Sequence, residues 1–259
     1  LAWVAVEDSL KDAFGPAWSK ELEKTGQSRI GLVVGSSAAG IGPFSECLAE
    51  GKEDDSARYG ACARDLASRL RIGGPVWTCC SVCASGAIAI AEAAEMLVSR
   101  DVDLVLAVGV DALHPFVGSG FDALGALADC PRPFGRDRNG LVLGEGACSI
   151  VMCRDPGDRP WGMLSGWGVS GDAHHLTAPD PTGAGLARAM KAALVMAGRE
   201  PHEVHVINAH GTATVFNDAM EAAAIGAVFG DQRRQLPVYT VKGTIGHTLG
   251  AAGAIEAGV

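Results

Sequence analysis

Three side chains of this 259-residue chain have both the type and the setting for covalent chemistry: Cys83, His210 and His247. Cys83 lies in Ser81-Val82-Cys83-Ala84-Ser85-Gly86, where an apolar run passes directly into a stretch of small residues, Ala84 to Ala91. A thiol at such a junction faces the positive end of a helix dipole, which favours the thiolate. Taken alone, a cysteine among apolar neighbours is usually a small buried hydrophobe, and Cys79 and Cys80 keep that reading. His210 stands in Asn208-Ala209-His210-Gly211-Thr212-Ala213-Thr214 and His247 in Gly246-His247-Thr248-Leu249-Gly250. The glycines beside them let backbone approach a ligand closely. Either histidine alone reads as a hydrogen-bonded core residue. A thiol nucleophile with two imidazoles, all at strand–helix junctions, is what carbon–carbon bond formation on a thioester requires.

The elements that must position these groups are short β-branched runs alternating with alanine-rich stretches. Strands are expected over 30–34, 76–82, 103–108 and 146–152, with helices over 1–13 and 84–98. These strands are continuous apolar runs, the pattern of strands buried on both faces, and the alternation predicts an α/β architecture with a mostly parallel sheet. Around 155–160 the chain turns polar, and a boundary is placed there, separating residues 1–157 from 158–259. The second half repeats the theme, with strands over 161–169, 204–208 and 238–241, helices over 183–197 and 217–228, and a helix beginning near His247. Against the first half it lacks two final strands, and residue 1 already lies inside a helical pattern, so an incomplete chain is expected. Ala84-Ser85-Gly86-Ala87-Ile88 is answered by Gly250-Ala251-Ala252-Gly253-Ala254-Ile255. That symmetry predicts two small-residue helices touching at the core, with Cys83 and His247 in equivalent places in the two halves.

Composition sets the outer bounds. Hydrophobic residues make up 48% and charged residues 20%, within the globular range. A formal charge of −9 argues against a nucleic-acid or anionic-membrane partner. The densest basic stretches are Arg132/Arg136/Arg138 and Arg233-Arg234. No apolar run is long enough to span a bilayer. Eight cysteines, several of them in apolar runs, fit a reducing, cytoplasmic setting better than a disulfide framework. Asp172-Ala173-His174-His175 lacks metal-site spacing, and no metal is expected.

Four blocks in order resemble the β-ketoacyl-acyl carrier protein synthases, condensing enzymes of the thiolase superfamily. They are Cys83-Ala84-Ser85-Gly86; Arg132-Pro133-Phe134 with Arg138 to Ala147; His210 to Thr214 with Asn217-Asp218 and Glu221; and Lys242 with Gly246-His247-Thr248 and Gly250 to Gly253. The resemblance implies a thiolase-like fold of two related βαβαβ halves with buried central helices, layered α-β-α-β-α. It also implies decarboxylative Claisen condensation of an acyl thioester with a malonyl-carrier thioester, in fatty acid, polyene or polyketide synthesis. Cys83 would take the acyl group, its own amide contributing to an oxyanion hole, while His210 and His247 stabilise the enolate. Lys242 would hold the charge balance of the site, with Glu221 and Glu256 as ionic partners. Thr212 and Thr214 would bond the phosphopantetheine arm, and Phe121 would line the acyl pocket. No cofactor would be bound; phosphopantetheine would arrive on the acyl carrier protein.

The implied partners are that carrier and a second subunit, identical or ketosynthase-like, paired through residues 76–82. The chain departs from the family at Ala213 and Val215, in a short 42–83 segment, and at Gly125, where some members dock the carrier with an arginine. Two other readings stand beside the synthase. A non-catalytic chain-length factor would generally lack the nucleophile, which Cys83 argues against, and a degradative thiolase would need a second catalytic cysteine.

Overall fold

The computed structural model of the chain describes residues 1–155, 160–175 and 177–259; the sequence-based boundary at 157/158 lies outside the described residues. In chain order the elements are α1 (Ala2–Phe14), α2 (Trp18–Thr25), β1 (Ile30–Gly35), α3 (Ile41–Glu50), α4 (Ala61–Leu70), β2 (Val76–Cys79), α5 (Ser85–Val98) and β3 (Leu104–Asp111). They continue with α6 (Pro115–Ala123), β4 (Gly146–Cys153), α7 (Ala184–Ala197), β5 (Ile207–Asn208), α8 (Val215–Phe229), β6 (Val238–Tyr239), α9 (Lys242–Ile245) and α10 (Ala252–Gly258). They group into two units that interleave along the chain: 1–119 with 143–160 and 248–259, and 120–142 with 161–247.

The first unit is built on a sheet ordered β2-β1-β3-β4. β1 runs parallel to β2 and to β3, while β4 returns antiparallel to β3, with Val105 opposite Met152. Every residue of β1 is buried, and so is all of β3 except Val110. Side chains of a strand alternate between faces, and the core divides accordingly. Leu32, Val34, Leu106 and Val108 pack with Val6 and Leu10 of α1 and Leu66 of α4. Val33, Val105 and Ala107 pack on the other face with Ala89, Ala93 and Met96 of α5. Each fully buried aliphatic side chain contributes roughly 1.5–3 kcal/mol, so two-sided burial explains why these runs read as uninterrupted apolar sequence.

α10 closes against α5 through small residues, as expected from the sequence. A Cβ on Gly86 would lie 2.7 Å from the Ala254 nitrogen, and one on Gly253 would lie 2.6 Å from the Ala87 nitrogen. Only hydrogen in place of a side chain permits that approach.

The second unit has a two-stranded parallel sheet, with Ile207 opposite Val238 and Asn208 opposite Tyr239. Its core joins Ile225, Phe229 and Leu236 to Met190 of α7 and to Ile207. Here the sequence expectations overreach. The apolar run at 161–169 forms no strand: Trp161 is 93% exposed, and Gly166 and Gly168 lay this segment against the backbone of α7, with no ladder beside it. The strands expected over 204–208 and 238–241 shorten to two residues each. Residues 242–245, unassigned in the sequence reading, form α9, and Gly246 at φ 75° ends it. The helix expected near His247 begins with a tight turn at Leu249–Ala251 and becomes α-helical at Ala252. In the first unit, β2 stops at Cys79 instead of reaching residue 82, because Val82 adopts φ 50°, a left-handed conformation no strand tolerates.

Candidate active site

Cys83 sits in the tight connection between β2 and α5. The Ala84 amide donates to the Ser81 carbonyl at 2.9 Å. The buried Ser85 hydroxyl donates to the Val82 carbonyl at 2.6 Å and accepts from the Ser81 amide at 2.9 Å. This local network holds Val82 in its left-handed conformation, which is strained for a β-branched residue. A turn of that kind presents the next side chain at the head of the helix, and Cys83 is half-buried there, one residue before the N-cap Ala84. The 14 residues of α5 aim the positive end of their dipole at it. Desolvation pushes the Cys79 thiol up to about 11 and raises Cys62, Cys148 and Cys153 as well.

The histidines belong to the second unit, and their surroundings differ in kind. After β5 the chain turns through His210 and Gly211, and both amides donate to Glu221 of α8, at 2.6 and 2.9 Å. One turn earlier on α8, Asp218 accepts the Ala213 amide at 3.2 Å and the Phe134 amide at 2.6 Å. The spacing i, i+3 puts both carboxylates on one helix face, and together they shape the loop at 210–214, in which Ala213 has φ 64°. Arg138 approaches Asp218 at 3.8 Å and donates to the carbonyls of Gly135 and Val215.

His247 is 1% exposed and its amide donates to the Val142 carbonyl at 2.7 Å. The two imidazoles meet edge to face, with ring centres 5.1 Å apart and planes at 87°. His210 is held well below the ordinary histidine value of 6.5, first by burial and then by the charges of Lys242 and His247. It is therefore neutral at physiological pH, with one N–H to donate. Burial raises Glu221, against the opposing pull of the Gly211 and His210 amides and of Lys242. Lys242 itself is 2% exposed.

Of the residues singled out in the sequence, His210, His247, Lys242 and Glu221 gather within the second unit. Glu221 fixes the backbone that carries His210, a role the sequence reading did not give it. Thr212 is buried and shares a hydrogen bond with half-buried Thr214 at 2.9 Å. Phe121 lies half-buried in the last turn of α6. Cys83 and Glu256, the latter half-buried on α10, stand in the first unit. His174 and His175 are exposed, and the Nδ1 of His175 accepts the amides of Thr177 and Ala178 at 3.2 Å. The sequence reading gave Asp218 no role. Its spacing from Glu221 on an otherwise apolar helix was the available signal, since buried carboxylates need donors.

Comparison with known proteins agrees with this arrangement. Residues 4–156 match the family model for the β-ketoacyl synthase N-terminal domain, and residues 161–258 match that for the C-terminal domain. The 3-oxoacyl-[acyl-carrier-protein] synthase 2 of Coxiella burnetii is 36% identical over 91% of this chain and 63% of its own length. The chain thus spans a little under two thirds of that relative. Among solved structures, the ketosynthase ApeO in complex with its chain length factor ApeC from Xenorhabdus doucetiae superposes with a TM-score of 0.83. It is 33% identical and is covered over 64% of its length by 96% of this chain. AntDE:AntF, a type II PKS acyl-carrier protein in complex with its ketosynthase bound to the hexaketide, gives a TM-score of 0.82 at 27% identity, over 98% of this chain and 71% of that one. The fold is thus the α/β, thiolase-like fold of the ketosynthases. Matched along both halves by the two domain models of one family, and carrying that family's thiol and imidazole blocks, the chain belongs to the β-ketoacyl synthases.

Proposed function

We propose that the chain carries out decarboxylative Claisen condensation, extending a fatty acid, polyene or polyketide. The Cys83 thiolate attacks an acyl-carrier thioester; the acyl–sulfur bond to the carrier breaks, and the released phosphopantetheine thiolate takes up a proton. A malonyl-carrier thioester then loses carbon dioxide, and the electron pair left behind forms an enolate whose oxygen accepts N–H bonds from His210 and His247. The enolate carbon attacks the acyl-Cys83 carbonyl. The resulting oxyanion is met by the amide of Cys83, and collapse returns the thiolate and releases a β-ketoacyl-carrier. The observation that carries this reading is the imidazole pair, His247 buried and His210 half-buried, with His210 held neutral. Preorganised N–H donors suit a developing oxyanion, which gains most in a site shielded from water.

Lys242 and Glu221 supply the charge balance in this reading, and Glu256 is a further ionic partner. Thr212 and Thr214 bond the phosphopantetheine arm, which the carrier brings, and Phe121 lines the acyl pocket. No metal takes part. The division into halves at 157/158 is supported by the two matched ranges, 4–156 and 161–258.

The partners are an acyl carrier protein and a second subunit, identical or ketosynthase-like. Support for the second subunit comes from β2, an outer strand of its sheet whose Trp77 is 48% exposed, since such an edge is a template for strand pairing. The Trp77→Asp variant is expected to sediment as a monomer. No nucleic acid or membrane partner is included: the charge is −9, and among the described residues no helix is long and apolar enough to cross a membrane. The eight cysteines, several with thiols raised by burial, suit a reducing cytoplasm.

The test is incubation with a panel of acyl-carrier thioesters, followed by adduct mapping by mass spectrometry. An acyl mass on Cys83 is expected, and an adduct mainly on Cys130 or Cys148 would sink the assignment.

A further inference from the structure

At the end of β3 stands an aspartate that none of the catalytic steps uses. Asp111 is 3% exposed, after seven residues of apolar strand. Its carboxylate collects five hydrogen bonds. Oδ1 accepts the Ser36 hydroxyl and the Ala38 amide at 3.0 Å. Oδ2 accepts the Ser37 hydroxyl, the Ser37 amide at 2.9 Å and the Gly250 amide at 2.6 Å. One side chain thus ties the end of β1 to the turn that leads into α10.

Both tied segments press on the first turn of α5. A Cβ on Gly35, next to Ser36, would collide with the Ser85 carbonyl. On Gly86, a Cβ would lie 2.9 Å from the Gly250 oxygen and 2.7 Å from the Ala254 nitrogen. Ser85 in turn holds the Val82 carbonyl and the Ser81 amide, the two sides of the turn that carries Cys83. The contacts form one continuous chain from the carboxylate through backbone to the turn that carries the thiol.

We propose that Asp111 is a positioning residue for Cys83. By clamping Ser36–Ala38 and Gly250 with charge-assisted hydrogen bonds, it seats the head of α5, and with it the thiol, at the end of the helix dipole. An asparagine could not replace it, because one oxygen would become an NH2 facing groups that are themselves donors. The inference rests on the nucleophile reading only for its catalytic consequence; the geometric claim concerns the reactivity of the Cys83 thiol itself.

The experiment follows alkylation of the intact protein by iodoacetamide as a function of pH, with peptide mapping. Cys130, exposed and in the other unit, is the internal reference. Asp111→Asn is expected to lower the Cys83 rate about tenfold relative to Cys130 and to move the midpoint of its pH profile upward, while thermal unfolding stays cooperative. Should that variant fail to fold, Ser37→Ala removes one donor of the clamp and is expected to lower the same ratio about threefold. A ratio within twofold of the parent and an unmoved midpoint in the folded variant overturn the proposal. If the parent takes no acyl group at Cys83, the condensation reading fails, while the alkylation ratio still decides the role of Asp111.

Discussion

The turn around Cys83 and the loop around His210 are held by opposite means. The thiol's turn is shaped by hydroxyls, by small residues and by helix backbones in van der Waals contact: Ser85, Gly86 and Gly253 do the work, and its leverage on charge is a helix dipole. The histidine loop is shaped by buried charge, with Glu221 and Asp218 each accepting two backbone amides and Lys242 acting on both Glu221 and His210. The difference teaches that the two regions have different tolerances. The helix contact beneath the first should be sensitive to volume, with Asp111 as the acceptor behind it, whereas the second should be sensitive chiefly to the loss of an acceptor.

The largest effect is expected at Glu221. Glu221→Ala leaves the His210 and Gly211 amides without their acceptor, so the His210 backbone shifts. Decarboxylation of malonyl thioester should fall about 100-fold, with a stability loss of about 1–3 kcal/mol for each donor left unsatisfied. The Cys83 alkylation rate should stay at the parent value. Equal losses in both assays would erase the contrast between the regions.

Next comes volume in the first unit. Gly86→Val forces a side chain against the Ala254 backbone, and overpacking of this sort costs about 1–3 kcal/mol, read as a lower denaturant midpoint. Gly118→Ala is the control, because a Cβ there meets nothing within 4 Å. It should leave stability unchanged or raise it slightly.

The contrast also explains what was legible in the sequence. Runs such as Ile30–Gly35 are buried on both faces, so one physical cause wrote the whole pattern; β1 was readable to within one residue, and β3 to within one at its start and three at its end. Residues 161–169 carry a similar apolar composition, yet Gly166 and Gly168 serve close packing on α7, which a one-dimensional pattern cannot distinguish from a strand. The break of β2 at Cys79 depends on Val82 adopting a left-handed angle that its side chain disfavours. Tertiary packing imposed it. Within the candidate site, Cys83 and the two histidines were visible because their residue types are chemically distinctive. Asp111 was not, since a lone aspartate after an apolar strand looks like the start of a loop, and its donors lie about 75 and 139 positions away.

A smaller effect is expected from pH. His210 is held below 6.5 in the folded chain, so below pH 6.5 the unfolded chain binds more protons than the folded one. Stability then falls as pH drops from 6.5 toward the folded value. Denaturation of His210→Gln should show a shallower decline between about pH 6.5 and 5 than the parent. An unchanged slope would show that His210 is not the neutral member of the pair.

The most direct test of the central claim separates thiol from imidazole in a single variant. His247→Ala is given an acyl-carrier thioester and a malonyl thioester in parallel, with Cys83 acylation read by mass spectrometry and carbon dioxide release followed over time. The account predicts that acyl-Cys83 still forms, because the turn and the helix dipole support the thiolate, while decarboxylation drops about 100-fold with the loss of one enolate donor. Carbon dioxide released at the parent rate would contradict it.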